Sequence, residues 1–378
     1  MEKIYDFVVV GGGISGSSVV YELTQKSNGK VLLIDKLSNI ASGASGAAGA
    51  FLSPLLGKPN RFKDLVTRAL KYTSKLYRNS FINVIDSCGT TRIPKSIEDK
   101  EKFEEYKPYI DFPYKQTDDG YFFNIGTVVN SFGICKMMTM SFSNIKKNLD
   151  TLFNYEVTDI SYDKQNQLWI VNDEIKTKEL ILTTGASLEL LDEFYLKVRA
   201  VWGRRLDIQT STKLDHNYHK ECSISKSFPI SDNLYKVSIG ATHKRTLEDV
   251  EDAKVNNEEL LKKARDILDL DDLEITKEYV GARSCSVDYF PMVGSIIDSK
   301  KTLELFPYLK DGTHVPNDRF VRYPHLHILN GVGGRGFVLA PYLANRLVEN
   351  ILFEKEYEDE IKVDRLFLRE VKRRTIPC

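Results

Sequence analysis

The chain carries no net charge: Lys plus Arg and Asp plus Glu each number 53 among 378 residues. No global field therefore selects a nucleic acid or an anionic membrane, and any phosphate contact must come from a local patch. No apolar run approaches the roughly 20 residues that cross a bilayer. The five cysteines, Cys88, Cys135, Cys222, Cys285 and Cys378, are odd in number and lack Cys-x-x-Cys spacing. That argues against a disulfide framework and a zinc site, and fits a reducing compartment. His216/His219 and His325/His327 have metal-like spacing but no third ligand, so no metal is expected. No internal repeat is present. The first apolar strand begins near residue 4, which leaves no room for a signal peptide. The expected setting is the cytoplasm, and the length suits two domains with a large core.

Against these absences stands a strand–turn–helix–strand pattern. Tyr5-Asp-Phe-Val-Val-Val10 runs into Gly11-Gly-Gly13-Ile14-Ser15-Gly16, an amphipathic stretch, and Val31-Leu-Leu-Ile34 ending on Asp35. Gly11 permits the tight turn, Gly13 lets a pyrophosphate reach the backbone, and Gly16 lets the helix pack closely on the sheet. The helix start offers N–H groups and a positive dipole end to phosphates. Asp35 lies 19 residues beyond Gly16, where an acid accepts hydrogen bonds from an adenosine ribose. The pattern predicts a Rossmann-like dinucleotide site.

Residues 41–50 contain no side chain larger than serine. A nicotinamide dehydrogenase has no need of such a segment here. A flavoprotein does, because its chain passes the pyrophosphate and the isoalloxazine edge without Cβ clashes; a flexible linker is the alternative. Ser42, Gly43, Ser45 and Gly46 become candidate contacts, with Lys36 beside Asp35. Glu179-Leu-Ile-Leu-Thr-Thr184-Gly185-Ala186 reads as a buried strand ending in a small-residue turn. His327-Ile-Leu-Asn-Gly-Val repeats the strand–glycine–helix logic. Its turn holds Gly333, Gly334, Arg335, Gly336 and Phe337, and an apolar helix runs on to about Leu352.

Together these residues resemble the D-amino-acid-oxidase-like superfamily of FAD oxidoreductases, which includes glycine oxidase and sarcosine oxidase. The resemblance covers most of the chain. It is strongest to the FAD-dependent half of the bifunctional tRNA 5-methylaminomethyl-2-thiouridine biosynthesis family. The segments that carry it are Ala41–Ala50 with Leu-Ser-Pro-Leu-Leu, Val198-Arg-Ala-Val-Trp-Gly203, Gly240-Ala-Thr-His243 and Gly281-Ala-Arg283-Ser-Cys-Ser-Val-Asp288-Tyr-Phe-Pro291-Met-Val-Gly294. The Gly333–Gly336 turn with Ala340-Pro341 completes the set, and its Arg-Gly order leans toward the tRNA branch. His243 departs from the aromatic residue more usual there.

The resemblance implies an α/β (α+β overall) fold, a Rossmann-like FAD-binding domain with an inserted substrate domain built on an antiparallel sheet. FAD-binding parts are expected at residues 1–90, 131–200 and 283–378, the last with a basic tail. Substrate parts are expected at 91–130 and 201–282. Strand-like runs at Arg205–Gln209 and Leu234–Ile239 and a helical spacing at Asn257–Leu268 agree. Tyr155–Ile160 resembles the strand that passes the adenine, with Val157 as its backbone contact. Cys285 does not match the position of covalent flavin attachment, so non-covalent FAD is expected.

Flavin amine oxidation asks little of the protein: a neutral amine, its α C–H aimed at flavin N5, and an oriented substrate. For an amino-acid substrate the natural clamp is arginine, whose fork pairs with a carboxylate. The resemblance places Arg283 in that role, with an inter-strand pair to Asp288 as the alternative. Arg335 is the second candidate, with a phosphate or backbone contact at the helix start as its alternative. Lys58, Arg61, Lys63, Arg68, Lys71, Lys75 and Arg78 face one acid, Asp64, and the segment 362–374 adds six basic residues against two acids. Arg68, Lys71, Lys75 and Arg78 share a helix face opposite Leu65, Val66, Ala69, Leu70 and Leu76. Helix 58–78 and tail 362–374 are therefore the expected tRNA surfaces, or else solvated faces, the acidic run Glu354–Glu360 partly cancelling the tail.

Three functions follow. The first is oxidative removal of the carboxymethyl group from 5-carboxymethylaminomethyl-uridine in tRNA, with a separate methyltransferase for the next step. The second is oxidation of a free amine or amino acid of the glycine, sarcosine, D-amino-acid or proline type. The third is non-enzymatic flavin binding.

Overall fold

The computed structural model describes residues 4–140, 148–270 and 272–375. Its first layer follows from the unbroken apolar runs. Val8, Val10, Leu32 and Ile34 enter one core, while Phe7, Val9, Val31 and Leu33 enter another. Successive side chains alternate across a strand, so a run buried on both faces is apolar throughout. Parallel strands follow the order Leu149–Leu152, Val31–Ile34, Ile4–Val10, Ile175–Leu182, Arg322–Asn330. Met292–Ile297 joins antiparallel to the last, and the Ile160–Asp163/Leu168–Val171 hairpin joins the first half of Ile175–Leu182, giving eight strands.

The helices Ile14–Lys26, Arg61–Ser80 and Gly336–Phe353 bury their apolar stripes on one face of this sheet. Tyr195, Leu366 and Phe367, with the C-terminal helix Asp364–Thr375, cover the other. Each fully buried side chain of this kind contributes about 1.5–3 kcal/mol.

A second, mostly antiparallel sheet has nine strands. Val198–Thr210 lies at its heart, between Glu274–Ser286 and Leu234–Gly240. The order continues through Ser223–Ile224, Asn217–His219, Thr90–Arg92 and Tyr121–Phe123 to Lys115–Gln116. One pair is parallel: Asn217–His219 beside Thr90–Arg92, with His219 opposite Arg92. The helix Ala253–Arg265 backs this sheet through Leu260 and Ala264. The α/β class with a Rossmann-like sheet and a separate antiparallel sheet is the one expected.

Residues 41–50 are no free linker. They contain the short helix Ala44–Ala47, which lies on Glu274–Ser286 so closely that a Cβ at Gly281 would sit 2.9 Å from Ala44 Cα. Small side chains here bring the two sheets together. Residues 155–159 are not a strand; regular pairing starts at Ile160. Their backbone groups are used otherwise: Tyr155 N donates to Asp35 O (3.1 Å), and Asn172 Oδ1 accepts from Thr158 N (2.9 Å) and Asp159 N (3.1 Å). The helix expected at 257–268 spans Ala253–Arg265 instead, because Asp252 caps it by accepting from Val255 N. Among the described residues no helix is long and apolar enough to cross a membrane. Cys88, Cys135, Cys222 and Cys285 are free thiols; Cys378 lies outside the described residues.

Candidate active site

A cavity of ≈ 1300 Å³ is lined by residues of both sheets, larger than the roughly 300–1,000 Å³ of an ordinary ligand pocket. Gly11, Gly13, Ile14 and Ser15 reach it from the first turn, Asp35 and Lys36 from the end of Val31–Ile34, and Val157 from the segment before Ile160–Asp163. Gly43 and Ser45 come from the small-residue segment, Thr184 and Gly185 from the turn after Ile175–Leu182. Gly333, Gly334, Arg335, Gly336 and Phe337 line it from the last turn, and Arg283 from Glu274–Ser286. The sequence-predicted residues thus converge on one space.

Three expected contacts stand outside the wall. A Cβ at Gly16 would fall 1.8 Å from Gly11 O, and one at Gly46 2.2 Å from Ala41 O, so these glycines serve close packing. Ser42 Oγ donates to Asn39 O (2.8 Å) and closes its own turn.

The turn itself is built for close approach. Gly11 has φ +112°, and a Cβ there would meet Thr183 O at 2.4 Å. Asp35 accepts from Gly12 N (2.5 Å) and Leu37 N (2.8 Å), which fixes the turn, and a carboxylate retains further acceptor positions. Ile14 N donates to Ser45 Oγ (2.9 Å), which ties the small-residue segment to the helix start. Gly13 offers the first helical turn no side-chain cap, so donors remain there for an anion. Asn330, given no role in the sequence reading, joins three walls. It donates to Gly185 O (2.9 Å) and accepts from Ser284 Oγ (2.8 Å) and Gly331 N (2.8 Å). An uncapped helix start, a glycine turn and an acid at the second strand fit a flavin dinucleotide.

The remainder of the cavity is cationic. Arg283 Nη1 donates to Thr242 O (3.2 Å) and Trp202 O (3.5 Å) and has no acid partner among the described residues. The alternative pair with Asp288 does not form. Asp288 is held instead by Arg365, at 2.9 and 3.0 Å, and these bonds keep its carboxyl below the usual range despite burial. Arg335 Nη1 donates to Ser53 O (3.3 Å), so the backbone contact weighed as its alternative is present, on a residue that also faces the cavity. Burial pulls the Arg283 guanidinium down, and Arg335 to about 10.

His243 lies beside this group. Burial, then Arg283, pushes its pKa down to about 4, so it is neutral at pH 7. His219, weighed in the sequence only for its metal-like spacing with His216, is held well below its usual value by burial, then by Arg92 and Arg335. Its Nδ1 pairs with Ser223 Oγ (2.7 Å), while His216 pairs with Thr91 Oγ1 (2.9 Å). His325 and His327 share Glu179, each at 2.8 Å. Tyr289 lines the cavity with 67% of its surface exposed and φ +68°, and Arg199 stacks over its ring.

The expected phosphate surfaces are partly spent within the chain. In the helix Arg61–Ser80 and the turn before it, Lys58 pairs with Glu105, Lys63 with Asp111, and Arg68 with Glu358 and Glu360. Lys71 and Lys75 stay exposed. In the tail, Lys362 pairs with Glu356 and Asp359, Arg365 with Asp288, and Arg373 with Glu370.

The family described as FAD dependent oxidoreductase matches residues 6–350. The tRNA 5-methylaminomethyl-2-thiouridine biosynthesis bifunctional protein of Legionella pneumophila (strain Lens) is 23% identical over 366 residues, 88% of this chain and 52% of the relative. Its counterpart in Haemophilus ducreyi is 24% identical over 387 residues, 92% of this chain and 56% of the relative. The chain spans about half the length of these curated relatives. Glycine oxidase from Geobacillus kaustophilus superposes with a TM-score of 0.72 at 18% identity, covering 94% of this chain and 96% of that one. Iminodiacetate oxidase from Chelativorans sp. BNC1 gives 0.71 at 16% identity, with 94% and 98% covered. At these identities the solved structures speak to the fold alone.

Proposed function

Because the chain belongs to the FAD dependent oxidoreductase family, we propose that it oxidises a glycine-like secondary amine, with the carboxymethyl group of 5-carboxymethylaminomethyl-uridine in tRNA as substrate. In this reading residues 1–90, 131–200 and 283–378 hold non-covalent FAD, and residues 91–130 and 201–282 shape the substrate side. The observation that carries it is Arg283: a guanidinium on the cavity wall, anchored to two carbonyls, with its fork free of any acid among the described residues. Such a group pairs with a substrate carboxylate through parallel hydrogen bonds.

FAD, when bound, supplies the two-electron acceptance that the protein's side chains lack. The residues supply the rest. Arg283 fixes the carboxylate and so orients the α carbon. Arg283 and Arg335 together disfavour a protonated amine beside them, so the cavity selects the neutral amine without a general base. His243 and His219, both neutral, add no competing positive charge. Loss of two electrons and two protons from the N–CH2 bond leaves an imine. Water adds to it, the C–N bond breaks, and the aminomethyl base and glyoxylate separate. Any tRNA backbone contact on the helix Arg61–Ser80 falls to its unpaired cations, Lys71 and Lys75 foremost.

The test is anaerobic reduction of the purified holoprotein, with hypomodified tRNA on one side and glycine or sarcosine on the other. Bleaching by tRNA, together with carboxymethylaminomethyl-uridine accumulating at the wobble position of cells lacking the protein, is the expected result. Bleaching by the free amines with no response to tRNA overturns it in favour of a free amino-acid oxidase or dehydrogenase. The internal pairing of the basic patches favours that second reading.

A further inference from the structure

We infer that the cavity takes a substrate with two anionic groups, the first on Arg283 and the second on a separate cationic pole made by Arg335 and Arg92. The inference rests on the proposed role of Arg283 as a carboxylate clamp and adds a second recognition point to it.

Arg92 ends the strand Thr90–Arg92, while Arg335 ends the turn Gly333–Arg335, yet the two meet on the same short segment. Arg92 Nη1 donates to Pro54 O (2.9 Å) and Ser53 Oγ (3.4 Å), and Arg335 Nη1 donates to Ser53 O (3.3 Å). Arg335, Ser53 and His219 lie on the cavity wall, and Arg92 stands directly behind them. Neither arginine has an ion pair among the described residues, and Arg92 Nε is buried with no partner. The acid whose field reaches Arg92 is Asp99, which already accepts from Lys95 N (2.9 Å).

Two half-buried guanidiniums that share one short segment without a carboxylate are a costly arrangement, and an anion offsets that cost. Burial and then Arg335 pull Arg92 down to about 9, while burial alone lowers Arg335. His219 stands opposite Arg92 and stays neutral, so no third charge intrudes. Arg283 belongs to a different place. It is anchored on Thr242 O and Trp202 O, not on the Ser53–Pro54 segment that holds Arg92 and Arg335. The shared chemistry of the second ligand group is an oxyanion, carboxylate or phosphate, since an arginine fork accepts both.

Three ligands separate the sources. Sarcosine, iminodiacetate and N-(phosphonomethyl)glycine all carry a carboxymethyl amine and differ only in a methyl, carboxylate or phosphonate arm. Titrated anaerobically into holoprotein, with Kd read from the flavin spectrum, at least one dianion binds about tenfold or more tighter than sarcosine. The tighter of the two names the arm as carboxylate or phosphate. In Arg92→Gln that preference falls to about twofold or less, and Arg92→Lys retains part of it, with FAD content and thermal midpoint reporting the fold. In wild type, excess inorganic phosphate weakens the dianion and spares sarcosine.

Equal binding of all three ligands, or a preference that survives Arg92→Gln, overturns the second pole. So does an Arg92→Gln variant with a shifted flavin potential and an unchanged ligand ratio, which assigns the pole to the cofactor. If sarcosine binds through Arg283 and only the ratio fails, the clamp reading stands without this addition. If no ligand perturbs the flavin, the clamp and the second pole fall together.

Discussion

In the proposed reaction Arg283 is the residue on which function turns, and its neighbours support that role. It gives two hydrogen bonds to carbonyls and none to an acid among the described residues, so its charge is available to a substrate. Arg283→Lys keeps the charge and loses the fork. Losing one charge-assisted hydrogen bond costs about 1.5–3 kcal/mol, so kcat/KM for a carboxylate substrate should fall roughly 10- to 100-fold while FAD stays bound. Stopped-flow reduction with a flavin-content assay checks this; unaltered kinetics remove Arg283 from the role. His243 makes a prediction of opposite kind. Its folded pKa of about 4 lies below the ordinary histidine value of 6.5, so the unfolded chain takes up a proton first as pH drops. The associated stability is complete above about pH 6.5 and is lost as pH falls toward 4. In His243→Asn that part of the acid decline should be missing from urea midpoints measured at pH 7 and pH 5.

At the scale of elements, legibility followed periodicity and backbone chemistry. The Ile4–Val10, Ile14–Lys26 and Val31–Ile34 units were readable because apolar period and glycine spacing report backbone needs directly. The sequence also pointed to the strand–turn–helix ending in Gly336–Phe353. The placement of Arg92 and His219 was not readable, since the His216/His219 spacing speaks only to metal; the pairing of Thr90–Arg92 with Asn217–His219 sets His219 on the cavity wall with Arg92 opposite it. The role of residues 41–50 was half legible. Small side chains signalled close approach, but not that the Glu274–Ser286 strand is one of the surfaces approached. The helix Arg61–Ser80 shows the limit of charge counting. Its apolar face is buried at Leu65, Val66, Ala69 and Leu70, as the spacing predicts, with Leu76 only partly covered. On its basic face Arg68 is tied to Glu358 and Glu360 and Arg78 donates to Ser87 Oγ, while Lys71 and Lys75 stay exposed. If tRNA touches this helix, reversing Lys71 and Lys75 to Glu removes two phosphate contacts at most. The slope of log K against log salt should then shrink by about 2 or less, with flavin content unchanged. A larger drop would show that the paired cations also rearrange onto RNA.

For the molecule as a whole, the basic C-terminal segment is a clamp more than a surface. Arg365, on Asp364–Thr375, reaches from the helix that covers the first sheet to Asp288, in the loop that also carries Tyr289 to the cavity. It donates further to Phe290 O (2.7 Å), and Ser286 Oγ and Phe290 N both donate to Asp288. One carboxylate therefore holds a cavity loop, the end of the Glu274–Ser286 strand and the last helix in register. Tyr289 sits in left-handed backbone, which costs a non-glycine residue about 1–2 kcal/mol, so this loop needs an external restraint. Asp288→Asn leaves Arg365 partly buried without its acid and should cost about 2 kcal/mol or more at pH 7. The sign with pH is fixed by the lowered pKa of Asp288. Its contribution is present above the unfolded value of 3.8 and is lost as pH falls through the lower folded value. Wild type and Asp288→Asn should therefore differ fully at pH 7 and pH 5 in urea unfolding, and converge below about pH 3.8. A difference that does not begin to shrink as pH falls below 3.8 would mean that the loop is held by packing, and that the charge pair is incidental to it.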